Sequence, residues 1–387
     1  MASNMGGGSG GPGGSAQMSQ AQQNAVGRAI LLSSGIRMSQ IVFQGAALPA
    51  GQSTRLDLLR VGISTGIMCD FTLSMDITVA MTASPAGPWS MINQLKYTDF
   101  SGVDRVNSDG LSLWLLNTFK HNQLEDNAIP GVIGNIGNIN TNILTFPTAT
   151  GATQIAYFSL WVPLAYDAGS DLRGAVPSMV NVGQHYLTIT PASALVSATD
   201  LLIAPYSAGT AIINSLTVDV TQFYIQPQSI AAGQLPGIDL TTIYEINGRN
   251  ITTAGIQANT PLLINYPNDR AVMSAIHVLE DNGEMVLDET DMTKVELLIN
   301  SNTVVRQLTP RRQRAIQRAI NGGDVPSSVY YHSHRQQPVL TNLFATYQAR
   351  YSLGTLSGGS GVSKLVAQYE SFYSSGQPLS GIAANAG

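Results

Sequence analysis

Charged residues are scarce in this sequence. They make up 11% of its 387 residues, whereas 44% are hydrophobic, and an average soluble protein carries about 25% charged residues. Charged side chains are depleted where one subunit permanently covers another. The scarcity of charge therefore predicts a chain that hides much of its surface in contacts with copies of itself.

Cysteine is nearly lacking, and there is no excess of basic over acidic residues. Cys69 is the single cysteine, which excludes an intrachain disulfide. The formal net charge is −5 at pH 7, so the chain has no broad basic field for the phosphates that dominate nucleic-acid binding. We therefore expect no direct contact with nucleic acid.

Long apolar runs are missing as well. No uncharged run approaches the roughly 18 apolar residues of a membrane-spanning helix, and the start lacks the basic-then-apolar order of a secretory signal. These absences predict synthesis as a soluble protein in the cytoplasm. At 387 residues the chain exceeds the usual size of one core, so its length favours two globular units with tails.

A period of two runs through much of the remaining sequence. Phe71, Leu73 and Met75 alternate with Thr72 and Ser74, which predicts a strand with one buried and one polar face. Clusters of Gly, Pro, Asn and Asp separate similar segments, and this pattern indicates an all-β protein built from sandwiches. The other predicted strands are 154–162, 184–190, 216–225, 262–266, 273–279, 294–299, 327–332 and 364–373.

One helix is predicted in each half of the chain. Ser108–Lys120 places apolar residues at helical spacing after a Ser-Asp start suited to capping. Thr309–Ile320 has a threonine cap, a proline at the first helical position and an apolar stripe that includes Ile316. Each helix precedes a loop and an aromatic-bearing strand, so a duplicated sandwich with one flanking helix per copy explains the recurrence.

Breaks in the β pattern predict three regions. Residues 1–32 form a flexible glycine-rich arm with a short helix over Met18–Leu32. The segment Gln226–Pro236 interrupts the strands with proline and glycine. The first sandwich is therefore predicted over 33–230, and the second, with a C-terminal arm, over 231–387.

Two groups of side chains are candidate contacts. Arg28, Ile30, Leu31 and Leu32 end the weakly amphipathic N-terminal helix. That composition suits an arm docked on a neighbouring subunit. Contact with a lipid surface is the alternative, although one arginine attracts lipid weakly.

The second group lies on the helix of the second half. Arg311, Arg314 and Arg318 line one helical face. They are a candidate basic contact between subunits that would grip an acidic neighbour or a phosphate. The alternative is a solvated face opposite the apolar stripe.

Sequence patterns of catalysis or cofactor binding are weak or out of context. GxGxxG and GxSxG spacings occur around Ser9, where no predicted strand precedes them. His332 and His334 share a strand face without an adjacent Cys, Asp or Glu, so surface or interface histidines are favoured over a zinc site. The acidic cluster at 288–291 lacks the spacing of a calcium loop. We therefore predict no catalytic residue, no metal and no cofactor.

Several stretches follow one another in an order known from one protein family. The most specific is Trp161–Tyr166 followed by Asp171–Val176; Ile238–Tyr244, the arginine-rich helix and Val329–Tyr331 leading to Pro338 come after it. Together these stretches resemble the double jelly-roll major capsid proteins of tectivirus-type bacteriophages, which are tailless and enclose a lipid membrane.

The resemblance implies two consecutive eight-stranded jelly-roll β-sandwiches, each with a flanking short helix. It also implies a structural, non-enzymatic capsid protein whose homotrimers form pseudo-hexagonal capsomers that tile an icosahedral shell around an internal membrane. The implied partners are copies of the chain, neighbouring trimers, vertex and minor capsid proteins, and the viral membrane through the N-terminal arm. The protein would be made in the host bacterial cytoplasm and reside in the virion.

Two other functions stay open at this point. A carbohydrate- or receptor-binding jelly-roll spike would need an exposed aromatic platform. Trp89, Trp114 and Trp161 fall near strand ends or within apolar stripes, where burial is predicted. An all-β hydrolase would need a pair of carboxylates that no motif singles out.

Overall fold

Strands dominate the structure, which is a computed structural model. The described residues are 20–77, 82–83, 88–121, 153–180, 183–193, 202–203, 211–227, 242–252, 259–280, 292–321, 329–335, 337–355 and 364–374. The glycine-rich start with its Ser9 spacings, most of the predicted linker and the acidic cluster at 288–291 lie outside this set.

Ten strands belong to the first half and nine to the second within the described residues. The first ten are β1 (Ile36–Ala47), β2 (Thr54–Asp57), β3 (Ile63–Ile77), β4 (Thr82–Ala83), β5 (Ile92–Thr98), β6 (Asp104–Ser108), β7 (Thr153–Pro163), β8 (Tyr186–Pro191), β9 (Leu202–Ile203) and β10 (Ala211–Gln226). The others are β11 (Thr242–Thr252), β12 (Pro261–Asn265), β13 (Ala271–Glu280), β14 (Met292–Ile299), β15 (Thr303–Leu308), β16 (Val329–Ser333), β17 (Val339–Leu340), β18 (Tyr347–Leu353) and β19 (Lys364–Ser374).

Each half is a sandwich of two four-stranded sheets. In the first, sheet 1A has the order β1-β10-β3-β7 and sheet 1B the order β2-β8-β5-β6. In the second, sheet 2A is β11-β19-β13-β16 and sheet 2B is β12-β18-β14-β15. If the two-residue strands β4, β9 and β17 are set aside, both sandwiches place their first, eighth, third and sixth strands in sheet A. The predicted duplication into two eight-stranded sandwiches is confirmed.

Alternation along the strands decides which side chains enter each interior. In β3, Phe71, Leu73 and Met75 are buried, whereas Asp70 and Thr72 lie on the outer face. Successive strand residues point to opposite faces, so a polar residue at every second position leaves one face for the core. The outer face of a sheet is, below, the face turned away from the interior of its own sandwich.

Three α-helices flank the sheets in the described part of the chain: α1 (Gln20–Ser34), α2 (Gly110–His121) and α3 (Pro310–Asn321). The Asp109 carboxylate accepts a hydrogen bond from the Ser112 backbone N–H, 2.8 Å, and caps α2. Thr309 Oγ1 accepts one from the Arg312 N–H, 3.3 Å, at the start of α3. No described helix is both long and apolar enough to cross a bilayer.

In the part of the chain that the structure describes, three clusters of buried apolar side chains make up the core. The largest fills the first sandwich and continues into the contact between the sandwiches, where it includes Tyr331 and Phe372. A second cluster fills the interior of the second sandwich. A small third cluster lies beneath α1, where Leu31 packs on Ile63 and Ile225.

Candidate assembly surfaces

The two sandwiches meet along an extensive junction within the chain. The edge strands β6 and β11 run parallel, with Val106 opposite Ile246, so sheets 1B and 2A form one continuous sheet. Helix α2 contacts β13, and Phe119 of α2 stacks on Tyr331 of β16 with ring centroids 4.6 Å apart. The outer face of sheet 2A is therefore buried beneath the first sandwich.

A buried carboxylate lies at the centre of this junction. Glu370 of β19 accepts hydrogen bonds from the Tyr244 hydroxyl and from Ser274 Oγ, both at 2.7 Å, and from Lys120 Nζ at the end of α2. Arg335 Nη2 is 3.8 Å from the second carboxylate oxygen, and Arg335 Nη1 donates to the Lys120 carbonyl at 2.7 Å. The cluster ties α2 of the first sandwich to three strands of the second.

The ionisation of Glu370 follows from these partners. Burial by itself would raise the pKa of this carboxyl group, but the charges of Lys120 and Arg335 and the hydrogen bonds bring the pKa down to about 2. An ionised carboxylate that is fully buried is stable only when paired and hydrogen-bonded. Removal of a partner therefore costs more here than at the surface.

The segment that carries the family resemblance also lies at this junction. Gly174 has φ +82°, and a Cβ there would stand 2.1 Å from the Tyr244 Cβ. Its carbonyl accepts a hydrogen bond from Arg105 Nη1, 3.0 Å, and Arg105 pairs with the buried Asp99 at 2.7 Å. The Arg173 guanidinium lies 4.7 Å from the Phe372 ring centroid. Sequence patterns singled out this segment but gave no sign of its partners, which are far away in the chain.

Helices α2 and α3 occupy equivalent places in the two sandwiches. Asn117 Nδ2 of α2 donates to the Trp161 carbonyl, 2.6 Å, on β7, the edge strand of sheet 1A. On α3, Gln313 and Gln317 donate to the Tyr331 and Val329 carbonyls, 2.9 Å each, on β16, the edge strand of sheet 2A. Both helices thus satisfy the open backbone of the sixth strand of their sandwich.

The predicted apolar stripe of α3 is wrong. Ile316 is 40% exposed, whereas Gln313 and Gln317 are fully buried. The edge of β16 presents backbone carbonyls that need donors, and glutamine side chains provide them where isoleucine would not. Arg311 and Arg318 are exposed on the remaining surface of α3, and Arg314 is half-buried.

The four candidate residues of the N-terminal helix differ in how far they are buried. Leu31 is buried in the chain's own core, so it contacts the first sandwich rather than a neighbour or a membrane. Ile30 is half exposed, and Arg28 and Leu32 are partly exposed. Val26, which sequence reasoning did not select, is exposed beside them.

Tryptophan side chains form no exposed platform. Trp89 and Trp114 are buried and stack with ring centroids 3.7 Å apart. Trp161 is half-buried against Phe223. The predicted burial of these side chains is confirmed for Trp89 and Trp114, and the aromatic surface that a sugar-binding spike would use is not built from tryptophan.

The preference for surface or interface histidines is wrong for His332. Its Nε2 is 3.0 Å from the Tyr351 hydroxyl, which also contacts His277 Nδ1, and both rings are fully buried in the second sandwich. Burial lowers the pKa of His277 to about 3 and that of His334 to about 4. Among the described residues no cluster of His, Cys, Asp or Glu is arranged to hold a metal ion.

Comparison with known proteins agrees with this architecture. The N-terminal family described as "P3 major capsid protein" matches residues 49–234, and the C-terminal family of the same protein matches residues 241–380. The major capsid protein P3 of Enterobacteria phage PRD1 is 27% identical over 355 residues, which cover 84% of this chain and 88% of that protein.

Two solved capsid structures share the fold at low sequence identity. A chain from the atomic structure of Sulfolobus Turreted Icosahedral Virus matches with a TM-score of 0.64 at 12% identity, covering 90% of this chain and 96% of that one. The PBCV-1 virus capsid matches with a TM-score of 0.61 at 13% identity, covering 87% and 93%. The all-β double jelly roll is thereby established.

The two P3 families together cover both sandwiches, in the order in which the sequence places them. The family resemblance predicted from the sequence is confirmed, and with it a structural role in a virion rather than an enzymatic one. The chain belongs to the P3 major capsid protein family of phages.

Proposed function

We propose that this capsid protein assembles as a homotrimer of nearly hexagonal outline and that such trimers tile an icosahedral shell around an internal lipid membrane. The observation that carries the proposal is the side-by-side junction of two equivalent sandwiches within one chain. Three copies would place six such sandwiches around a three-fold axis.

The open sheet edges support this arrangement. Within the chain, β6, the fifth strand of the first sandwich, pairs with β11, the first strand of the second. The equivalent strands at the far ends are β15 and β1, and among the described strands each pairs with one partner only. β1 exposes Ile36, Met38 and Ile41, and β15 exposes Val304 and Val305. Long exposed edges with apolar side chains are normally covered, and β15 of one copy beside β1 of the next would cover both.

The remaining parts of the proposal concern the arms and the partners. The first sandwich extends over 33–230 and the second over 231–387, with residues 1–32 as the N-terminal arm. The arm contacts a neighbouring copy through Ile30, with Arg28 and Leu32 beside it, and lipid is the competing surface. Vertex and minor capsid proteins complete the shell, and synthesis takes place in the host bacterial cytoplasm.

The mass of the purified full chain by multi-angle light scattering, with negative-stain imaging of the same sample, tests the trimer. A mass of three chains and particles of nearly hexagonal outline are expected. A monomer at all concentrations, or a closed ring of another number, would contradict the proposal.

Flotation of the full chain with vesicles of bacterial phospholipids separates the two surfaces for the arm. If Ile30 contacts a neighbouring copy, Ile30→Asp weakens the trimer, no chain floats, and the matched variant Ser33→Asp changes neither. Flotation of the wild type that Ile30→Asp abolishes would instead assign the arm to lipid.

A further inference from the structure

Helix α2 is covered on every side, whereas α3, in the equivalent place, is not. Leu113, Leu115 and Leu116 of α2 are fully buried because its own sandwich covers one side and the outer face of sheet 2A the other. On α3 the buried side packs on its own sandwich, α2 touches the helix alongside, and Arg311, Ile316 and Arg318 are exposed. Within the described part of the chain, no sheet packs against α3 in the way that sheet 2A packs against α2.

Sheet 1A has the complementary opening. The outer face of sheet 2A is buried, but the outer face of sheet 1A exposes Ile155, Tyr157 and Ile212. These three side chains flank β3, because Ile155 and Tyr157 of β7 and Ile212 of β10 lie opposite outward-facing β3 residues. β3 is the third strand of its sandwich, as β13 is of the second, and β13 is the strand that α2 contacts.

The charges on the two open surfaces are opposite. Asp70 of β3 and Asp219 of β10 lie directly opposite each other on the outer face of sheet 1A, and both are exposed. No ion pair reaches either carboxylate in the described part of the chain. Like charges opposite each other in a sheet are unfavourable unless a cation lies nearby. The sequence of α3, PRRQRAIQRAIN, contains four arginines and no acid.

We propose that α3 of one copy docks on the outer face of sheet 1A of a second copy, with Arg311 and Arg318 beside Asp70 and Asp219 and Ile316 against the apolar side chains that flank β3. This contact between two chains would be equivalent to a contact that already exists within one chain. There, α2 reaches the outer face of sheet 2A and places Lys120 on the carboxylate of Glu370 in the eighth strand. Asp219 lies on the eighth strand of the first sandwich.

This inference rests on the proposed homotrimer and identifies its contact. Because the helix of one copy meets the sheet of the next, the interface is heterologous, and such interfaces close into a ring or extend into a filament. Arg311 and Arg318 lie along one side of the exposed surface of α3 and Ile316 along the other, with the exposed Ala315 and Ala319 between them. The charged pairs would therefore form along one side of the contact and the apolar contacts along the other. Opposite charges would also speed encounter and fix the register of the two copies.

Charge reversal in the full chain tests the contact. We expect Arg311→Glu with Arg318→Glu to raise the trimer dissociation constant by about 100-fold, since the reversed helix would repel the two aspartates. Addition of Asp70→Lys and Asp219→Lys to the same chain restores the trimer. Lys294→Glu, a reversal at an exposed residue of sheet 2B, leaves the constant unchanged. Sedimentation velocity over a series of protein and salt concentrations measures the trimer dissociation constant. Circular dichroism establishes that each variant is folded.

A second measurement does not depend on charge. Cys69 is buried, so Ile316→Cys provides a single accessible thiol. Its alkylation in the trimer should be slower than in the diluted monomer by on the order of 10-fold, because reaction requires the interface to open. If the wild type is a trimer but the reversed chain stays trimeric and the thiol reacts equally fast, the contact is overturned and the trimer stands. A monomeric wild type would instead overturn the trimer itself.

Discussion

At the scale of single residues, the junction between the two sandwiches depends on a few residues whose roles require those particular amino acids. Gly174 combines a positive φ with a close approach to Tyr244, so both its backbone freedom and its lack of a side chain are used. Glu370 combines full burial with an ionised carboxylate that partners from both sandwiches satisfy. Each of these residues couples the first sandwich to the second.

Gly174→Ala and Gly102→Ala separate the two reasons for glycine at position 174, its positive φ and its close approach to Tyr244. Both residues have φ +82°, but nothing lies within 4 Å of a Cβ at Gly102. Gly102→Ala should lower the free energy of unfolding by about 1 kcal/mol, from the backbone alone. Gly174→Ala should cost about 1–3 kcal/mol more, because the methyl group would force β11 away. Urea denaturation of the full chain measures both, and equal losses would show that the close approach to Tyr244 is unimportant.

At the scale of elements, the two flanking helices act as covers for strand edges. An edge strand leaves a row of backbone groups without partners, which favours aggregation unless another element covers it. Asn117 covers β7 from α2, and Gln313 and Gln317 cover β16 from α3. The edge of β16 needs hydrogen-bond donors, and this need explains why α3 buries glutamine where an apolar stripe would be expected.

Gln317→Leu should therefore be costly although leucine suits a buried helix face. The change leaves the Val329 carbonyl without its donor and the Tyr331 N–H without its acceptor, at a cost of about 2–4 kcal/mol in the free energy of unfolding. Gln52→Leu makes the same chemical change at an exposed residue of the turn before β2 and should alter stability by less than about 0.5 kcal/mol. Thermal unfolding of the two variants decides the matter: if Gln317→Leu is as stable as the wild type, the glutamines are not edge covers.

At the scale of the whole molecule, acid should destabilise the fold, and the second sandwich most. His277 is buried and neutral, with a pKa of about 3 that burial lowers. Its hydrogen-bonded neighbour is Tyr351, and His332 and His334 lie close to it with lowered pKa values of their own. An unfolded histidine binds its proton near pH 6.5, so the unfolded state takes up protons first as the pH falls. Stability that is fully present above pH 6.5 is therefore lost toward pH 3.

Glu370 acts in the same direction at lower pH. Its pKa of about 2 in the folded chain lies below the ordinary value of 4.5, so its contribution is present above pH 4.5 and is lost as the pH falls toward 2. The melting temperature should thus decline below pH 6.5 and continue to decline below pH 4.5.

Replacement of His277 tests the upper part of this acid sensitivity. Between pH 6.5 and 4.5 the buried ring should cost about 2–3 kcal/mol of stability. His277→Gln, which cannot bind a proton, should flatten the decline of the melting temperature over this interval. Asn302→Gln, at an exposed residue of the turn between β14 and β15, is the control and should leave the decline unchanged. A decline as steep in His277→Gln as in the wild type would contradict the prediction.

The predictions that held rest on local signals. The period of two in β3, the capping residues Asp109 and Thr309, and the recurrence of strands and a helix in each half are properties of neighbouring residues, so they are visible in the sequence. The family resemblance added the double jelly roll and the capsid role. These features follow from which backbone conformation each segment prefers and which of its faces is apolar.

The predictions that failed concern faces and partners, which depend on packing between distant segments. The buried side of α3 is set by the open edge of β16, and the burial of His332 by the strands around it. The partners of Glu370 come from α2, β11 and β13. The sequence by itself determined the strands, the helices and the duplication, because short-range periodicity and capping specify them. Only the tertiary structure decided how the two sandwiches join and which surfaces stay open, because those contacts unite residues that no local pattern connects.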